Sequence, residues 1–355
     1  MCLKIYQKKS SCDITLSIYN YFYMAKTGQI LSNDSAGVNQ ILPHVNKWAW
    51  DLYKTGKRNN WDPEEIPMTR DIQNWNSDLL TDEEKHVAKR TLGFFAGSES
   101  LVGNNLVTLY KYITDPECRQ YMSRQIWEEC LHNDTIVHIC DSLSLDIAEV
   151  YEAYSNIPSI KAKDEFLMNV TRGISKDIDV DTFEGKQELL KAAFLYWIVC
   201  EGTFFFSGFA MLLSMKDKLP GIGEQIEYTL RDESNHIKFG STLINKIKEQ
   251  HPEVWTEEFV EELTEILMDA VELEIAYARD VLPNGILGLN ADMFVEYMQY
   301  IGNRRLEGVG IEHRFESDRN PFDFLSEVQD LLKAKNFFET RVIEYQSSGA
   351  LVDDF

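Results

Sequence analysis

Apolar residues in this chain fall in long helix-like runs, and the strict alternation of a half-buried strand is scarce, so the pattern predicts helices and little sheet. Thr81 and Glu84 have capping-box spacing and open a helix from about Asp82 to Ile113. Asp115-Pro116, an N-cap followed by proline at the first helical position, opens the next, which runs to about Leu143. A third helix spans about Lys186 to Met215, and a Pro220-Gly221-Ile222-Gly223 turn leads into a fourth. Two more follow near Thr256–Val281, with Thr256 as N-cap, and near Asn290–Glu307. The expected fold class is all-α.

Acidic residues interrupt the apolar runs in a doubled pattern. Glu129 and His132 form one Glu-x-x-His pair, preceded 30 residues earlier by Glu99. Glu233 and His236 form another, preceded 32 residues earlier by Glu201. Residues three apart share a helical face. Two such pairs, plus one inward Glu from each of two other helices, make the ligand set of a carboxylate-bridged dinuclear metal site in a four-helix bundle. Ile126, Trp127, Ile136, Val137 and Ile139 surround the first pair in sequence, and Glu201 stands between Leu195–Cys200 and Phe204-Phe205-Phe206. A carboxylate in such company is expensive to bury unless it is paired or coordinated. One could be a satisfied core acid; four, with two histidines, point to metal. That donor set suits two first-row transition ions such as iron or manganese better than zinc. Glu83 and His86 share the spacing but sit in the capping box among charged neighbours, and are expected as a solvated first turn.

Composition narrows the setting. With 355 residues, 26% charged and 44% hydrophobic, the chain can fill a sizeable core, as two average domains or one large helical unit. A net charge of −23 argues against nucleic acid and anionic membrane as partners, since both need a basic surface. The most apolar stretch, Ala192 to Met215, carries Glu201 in its middle and has the length of a buried bundle helix, so no membrane span is expected. Six cysteines show no C-x-x-C pair or disulfide framework and read as reduced thiols, which points to the cytoplasm. Cys130 and Cys200 adjoin candidate ligands, but neighbouring helix positions point about 100° apart, so packing near the site is expected rather than ligation. No phosphate-cradling glycine loop or nucleophile elbow is present. Residues 1–23 lack an apolar h-region and cleavage site and are expected as a disordered extension, with Met24 a candidate start. From about Asn320 the chain turns mixed and polar, and is expected to end in a flexible tail that docks in a partner's groove.

Asn59-Asn60-Trp61, the stretch Gly93–Glu99, Glu129-Cys130-Leu131-His132, Glu201-Gly202-Thr203, Arg231-Asp232-Glu233-Ser234-Asn235-His236 and Glu344-Tyr345 are highly specific in combination. Together they resemble the small, radical-generating subunit of class I ribonucleotide reductase. The likeness covers about Asn46 to Tyr345 and is closest to the chlamydial-type class Ic subgroup, whose members have glutamate at the position of Glu99. It implies a ferritin-like helical domain over residues 46–319 and an N-terminal extension over 1–45. A C-terminal segment over 320–355 would dock to the large subunit through its tail, and the subunit would be a homodimer. The metal ligands it implies are Glu99, Glu129, His132, Glu201, Glu233 and His236, the same six reached from spacing. To these it adds a relay for an oxidising equivalent, from the metal site by way of His132 and Asp232 to Trp61, and then to Tyr345. Tyr228 resembles a residue that the chlamydial-type proteins use in reducing the site during assembly.

One departure bears on the chemistry. The standard family keeps a tyrosine four residues after the first ligand histidine, where it forms the stable radical. Chlamydial-type proteins have phenylalanine there, and in this chain the position is Ile136. An aliphatic side chain has no phenol to oxidise, so the oxidising equivalent is expected to stay on the metals. The resemblance therefore implies a manganese/iron pair, with iron alone or manganese alone as alternatives. Activated by dioxygen or peroxide, the centre would generate a radical in the large subunit for reduction of ribonucleotides to deoxyribonucleotides. The competing reading is a stand-alone di-metal ligand-binding oxidase, which needs the six ligands but not Trp61, Asp232 and Tyr345 together. A metal-storage protein tolerates a poorer ligand set than the six filled positions here.

Overall fold

The computed structural model describes residues 28–31, 40–174, 177–322 and 324–325, and within these all side chains except those of residues 99–104, 154 and 169–174. The body is built from α1 (Lys47–Arg58), α2 (Asp82–Tyr110), α3 (Pro116–Leu143), α4 (Pro158–Ile174), α5 (Phe183–Leu213), α6 (Pro220–Gln250), α7 (Glu257–Val281) and α8 (Ala291–Gly308). Among the described residues no strand occurs, only an isolated bridge between Ile286 and Leu289. The all-α expectation holds.

Local chemistry sets most helix starts. Thr81 and Glu84 close the capping box on α2, Asp115 accepts from the Glu117 and Cys118 amides at the start of α3, and Thr256 accepts from Phe259 on α7. Two starts are not local. Helix α6 begins at Pro220, so the expected turn is its first helical turn. Its free amides are met from a distance, the Asp71 carboxylate accepting from Gly221 and Ile222 at 2.8 and 2.9 Å. Helix α1, absent from the predicted set, has no side-chain cap from Asn46 and is ordered by packing. Helix α4 and the short helices Thr69–Trp75, Ile147–Tyr151 and Ala153–Asn156 are likewise additions.

Helix α5 runs through the centre. By length and composition it could cross a membrane, but 94% of its most apolar window is buried inside the protein. Its middle, Phe194–Phe204, is π-helical, a register that breaks the usual carbonyl pairing and recurs at functional sites. Side chains meet three of its carbonyls. Thr203 Oγ1 donates to Ile198 at 2.8 Å, Arg305 Nε to Gly202 at 2.5 Å and Lys163 Nζ to Phe204 at 3.3 Å. Helix α6 closes on α5 at Gly240, where a Cβ would stand 2.1 Å from the Trp197 ring.

Between α2, α5 and α7 lies an aromatic core that includes Phe94, Phe95, Phe205, Phe209 and Tyr277. Lys163 of α4 enters it fully buried, its ammonium 3.3 Å from the Phe94 centroid and 4.1 Å from that of Tyr277. It pairs with Glu274, whose other oxygen accepts from Ser207. Burial pulls the Lys163 ammonium down from its usual range, and Glu274 works against that pull. Removing one member of such a pair strands a buried charge. Glu274→Ala is expected to cost about 3–5 kcal/mol in denaturant unfolding of the metal-free protein, with most of it recovered when Lys163→Met is added. An unchanged midpoint in Glu274→Ala would show that water reaches Lys163.

Two expectations change on the surface. Trp127 and Val137 point outward, at 53% and 43% exposure. Cys130 is also exposed, so it does not pack beside the site; one helical step from inward Glu129 carries it to the outer face. Cys200 is buried as expected, and none of Cys118, Cys130, Cys140 and Cys200 is in a disulfide. Within the expected extension, Ile30 is buried and its amide donates to Gln250 Oε1 at 2.9 Å. Phe322 and Leu325 are buried too, so packing continues past residue 319. The expectations placed on residues 1–23 and on the tail with Tyr345 lie outside the described residues.

Candidate metal centre

Four helices carry the six candidate ligands: Glu99 on α2, Glu129 and His132 on α3, Glu201 in the π-helical part of α5, and Glu233 and His236 on α6. The side chain of Glu99 lies outside the described ones. The other five converge. Ligand atoms of Glu129, Glu233 and His236 lie within 4.8 Å of one another. His132 Nδ1 is 3.1 Å from Glu233 Oε1 and 3.7 Å from Glu129 Oε2. His236 Nδ1 is 3.3 Å from Glu129 Oε1, 3.4 Å from Glu233 Oε2 and 4.0 Å from Glu201 Oε2. Both imidazoles thus present Nδ1 inward, and Glu129 and Glu233 each face both of them. Both carboxylates would help to hold a metal pair there.

The donor set fits a pair of cations. All five groups are buried, yet Glu129 Oε2, Glu201 Oε2, both Glu233 oxygens and His236 Nδ1 have no hydrogen-bond partner. Buried polar atoms are seldom left so unless something else satisfies them. Burial, and then the charges of Glu129 and Glu233, push the Glu201 carboxyl well above its usual range. For His236 burial opposes the imidazolium, but Glu233, Glu129 and Glu128 outweigh it and raise it well above normal. Burial likewise opposes the His132 imidazolium, and Asp232, Glu129 and Glu233 prevail. Protons therefore offset the crowded carboxylates, a role two metal ions would take over by displacing them.

Asp232 lies just outside this cluster. Its Oδ2 is 3.7 Å from His132 Nε2 and accepts the Trp61 indole N–H at 2.8 Å. Burial favours the neutral acid, but His132 and Arg231 hold the Asp232 carboxyl below its usual range. Trp61 packs with Ile66, Leu131 and Tyr228, whose ring centroid is 5.4 Å away. The Tyr228 phenol donates to Glu224 at 2.9 Å and is pushed up to about 12 by burial and by that carboxylate. Ile136 is buried, 3% exposed, in the main core. The Glu83 carboxylate, by contrast, is solvent-exposed in the first turn of α2.

Sequence reasoning misses three residues of the site. Gln125 Nε2 donates to Glu201 Oε1 at 2.7 Å, while its carbonyl accepts from the Trp197 indole at 3.2 Å. Its position one turn before Glu129 was a usable signal. The Tyr196 hydroxyl donates to Glu129 Oε1 at 3.5 Å, so a phenol does reach the cluster, though not from position 136. Burial and the carboxylates of Glu129 and Glu201 keep it protonated. Its spacing from Glu201 is informative only in the π register. Glu128 lies 2.9 Å from His236 Nε2.

Residues 38–321 match the model of the family described as ribonucleotide reductase, small chain. The chain is 50% identical over 332 residues to ribonucleoside-diphosphate reductase subunit beta of Chlamydia pneumoniae, covering 92% of this chain and 95% of that one. Among solved structures, the ribonucleotide reductase R2 subunit from Clostridium botulinum superposes with a TM-score of 0.77 at 24% identity, over 85% of this chain and 96% of that one. An R2-like ligand-binding oxidase with an anaerobically reconstituted Mn/Fe cofactor gives 0.64 at 20% identity, over 79% and 99%. The fold is the ferritin-like helical one.

Proposed function

The chain belongs to the ribonucleotide reductase small-chain family, and we propose that it serves as the homodimeric, cytoplasmic, radical-generating subunit with a manganese/iron centre. Its place is in deoxyribonucleotide synthesis, beside a large subunit. Glu99, Glu129, His132, Glu201, Glu233 and His236 would hold the two ions. When bound and activated by dioxygen or peroxide, the pair supplies an oxidising equivalent for a cysteine of the large subunit.

The observation that carries this reading is the chain of contacts from His132 through Asp232 to Trp61. Asp232 stands ready to take the indole proton as Trp61 loses an electron, because Oδ2 is already 2.8 Å from Nε1. His132 and Arg231 hold that carboxylate ionised and so able to accept. Trp61 is 8% exposed, in a small apolar cluster apart from the main core. Tyr345, on the tail that would dock in the large subunit, is the next station. Tyr228, packed on Trp61, would pass reducing electrons inward during assembly. A stand-alone oxidase has no use for this outward chain. The choice of manganese with iron rests on Ile136 and on the Mn/Fe cofactor of the R2-like oxidase that shares the fold. Carboxylate and imidazole accept either metal.

Asp232→Asn tests the route. The amide oxygen keeps a polar atom beside His132 Nε2, now 3.7 Å from Asp232 Oδ2, so two metals should bind as before. It cannot take the indole proton, and turnover with the large subunit should fall by about 10²-fold or more. Wild-type turnover in this variant would reject the route.

A further inference from the structure

Each Glu-x-x-His pair is preceded by a second acid, Glu128 before Glu129 and Asp232 before Glu233, and in the fold these two acids cross over. Asp232 on α6 faces the histidine of α3, while Glu128 on α3 faces the histidine of α6, its Oε2 being 2.9 Å from His236 Nε2. We propose that Glu128 is a positioning residue for one of the two metals: it accepts the Nε2–H of His236 and so keeps the Nδ1 lone pair turned toward the cluster.

Several independent features converge on Glu128. It is 1% exposed, and its other oxygen accepts from Arg124 Nε at 2.8 Å. Arg124 in turn donates to Asn60 Oδ1 at 3.0 Å. Helix α1 leaves room for the pair at Gly56, where a Cβ would stand 2.9 Å from Glu128 Oε1 and 3.2 Å from Arg124 Cγ. A buried Glu–Arg pair is a poor device for stability, since well-packed apolar side chains serve as well or better. To a metal-binding imidazole, however, a carboxylate offers a fixed ring orientation, a fixed proton and a more basic donor nitrogen. The same pair ties His236 to Asn60. The neighbouring residues are held from the other side, Arg231 donating to the Asn59 carbonyl at 2.5 Å and Trp61 to Asp232 at 2.8 Å. Both histidines are thereby braced against Asn59-Asn60-Trp61, the stretch from which the oxidising equivalent would leave.

The inference rests on the two-metal reading, and Mn(II) binding to the metal-free full-length protein separates the two. Unbound ion is followed by electron paramagnetic resonance, a readout that needs no turnover. Wild-type protein should take up two ions. Glu128→Ala should weaken one of them by roughly 10–100-fold and leave the other unchanged. Glu128→Gln, whose amide oxygen still accepts from Nε2–H, should recover most of the loss. Arg124→Gln should weaken the same ion by a smaller factor. If Glu128→Ala does not fold, Glu128→Asp replaces it, because the shorter carboxylate retracts from Nε2. Wild-type affinity for both ions in the alanine variant overturns the proposal. Equal weakening of both ions also does, or a glutamine variant no better than alanine, for either marks a merely structural role. Fewer than two ions in the wild type overturns the two-metal reading and this inference with it.

Discussion

Glu129→Ala and His236→Ala should each lose stoichiometric binding of two metal ions, and all reductase activity with it. Glu129 faces both histidines, at 3.7 and 3.3 Å, and would help to hold the ions beside each of them. His236 offers one of the two inward nitrogens, and alanine leaves that position without a replacement donor. Glu129→Ala should leave the melting temperature of the metal-free protein unaltered or raise it, whereas His236→Ala, which removes a cationic partner of the buried carboxylates, should lower it. In that state Glu129, Glu201 and Glu233 crowd one buried volume, and their mutual charge already pushes Glu201 well up. Deleting one carboxylate relieves repulsion, as is common where a binding site is built against stability. Metal analysis and thermal unfolding on the same preparations check both halves. Two ions per chain in both variants would sink the ligand assignment.

Activity reconstituted with the large subunit should require manganese, with no tyrosyl radical at rest. Ile136 occupies the position where the standard family keeps its phenol, and its surroundings are apolar and closed at 3% exposure. Ile136→Tyr should not be needed for function and should cost stability, because it adds volume and a hydroxyl to a filled pocket. Tyr345→Phe should abolish turnover while the oxidised centre still forms, since that lesion lies on the route out. Tyr196 sharpens the test, being a phenol whose hydroxyl lies 3.5 Å from Glu129. Electron paramagnetic resonance of iron-only and manganese/iron protein, with and without Tyr196→Phe, decides the matter. Full activity of iron-only protein with a persistent phenoxyl signal would defeat the manganese requirement. Loss of that signal in Tyr196→Phe would assign it to this residue.

What the sequence determined by itself was everything written within one or two helical turns. Helix caps at Thr81, Asp115 and Thr256 are contacts over three residues or fewer, and they form as their spacing predicts. The Glu-x-x-His pairs use the same short range, and two similar halves put five side chains into one cluster. Relatives of the family added Trp61 and Asp232, whose hydrogen bond spans 171 positions and has no local signature. Only the tertiary structure could place the rest. Glu128 reads as a surface acid beside a ligand until α6 brings His236 against it. Asp71 caps a helix that begins far along the chain. Tyr196 reaches Glu129 because α5 shifts into the π register, held there by Thr203, Arg305 and Lys163. Periodicity fixes which face of one helix a residue occupies, but which residue of another helix it meets depends on how the helices stack. That is settled by packing volumes such as the gap at Gly240 and the one at Gly56, which belong to no single segment.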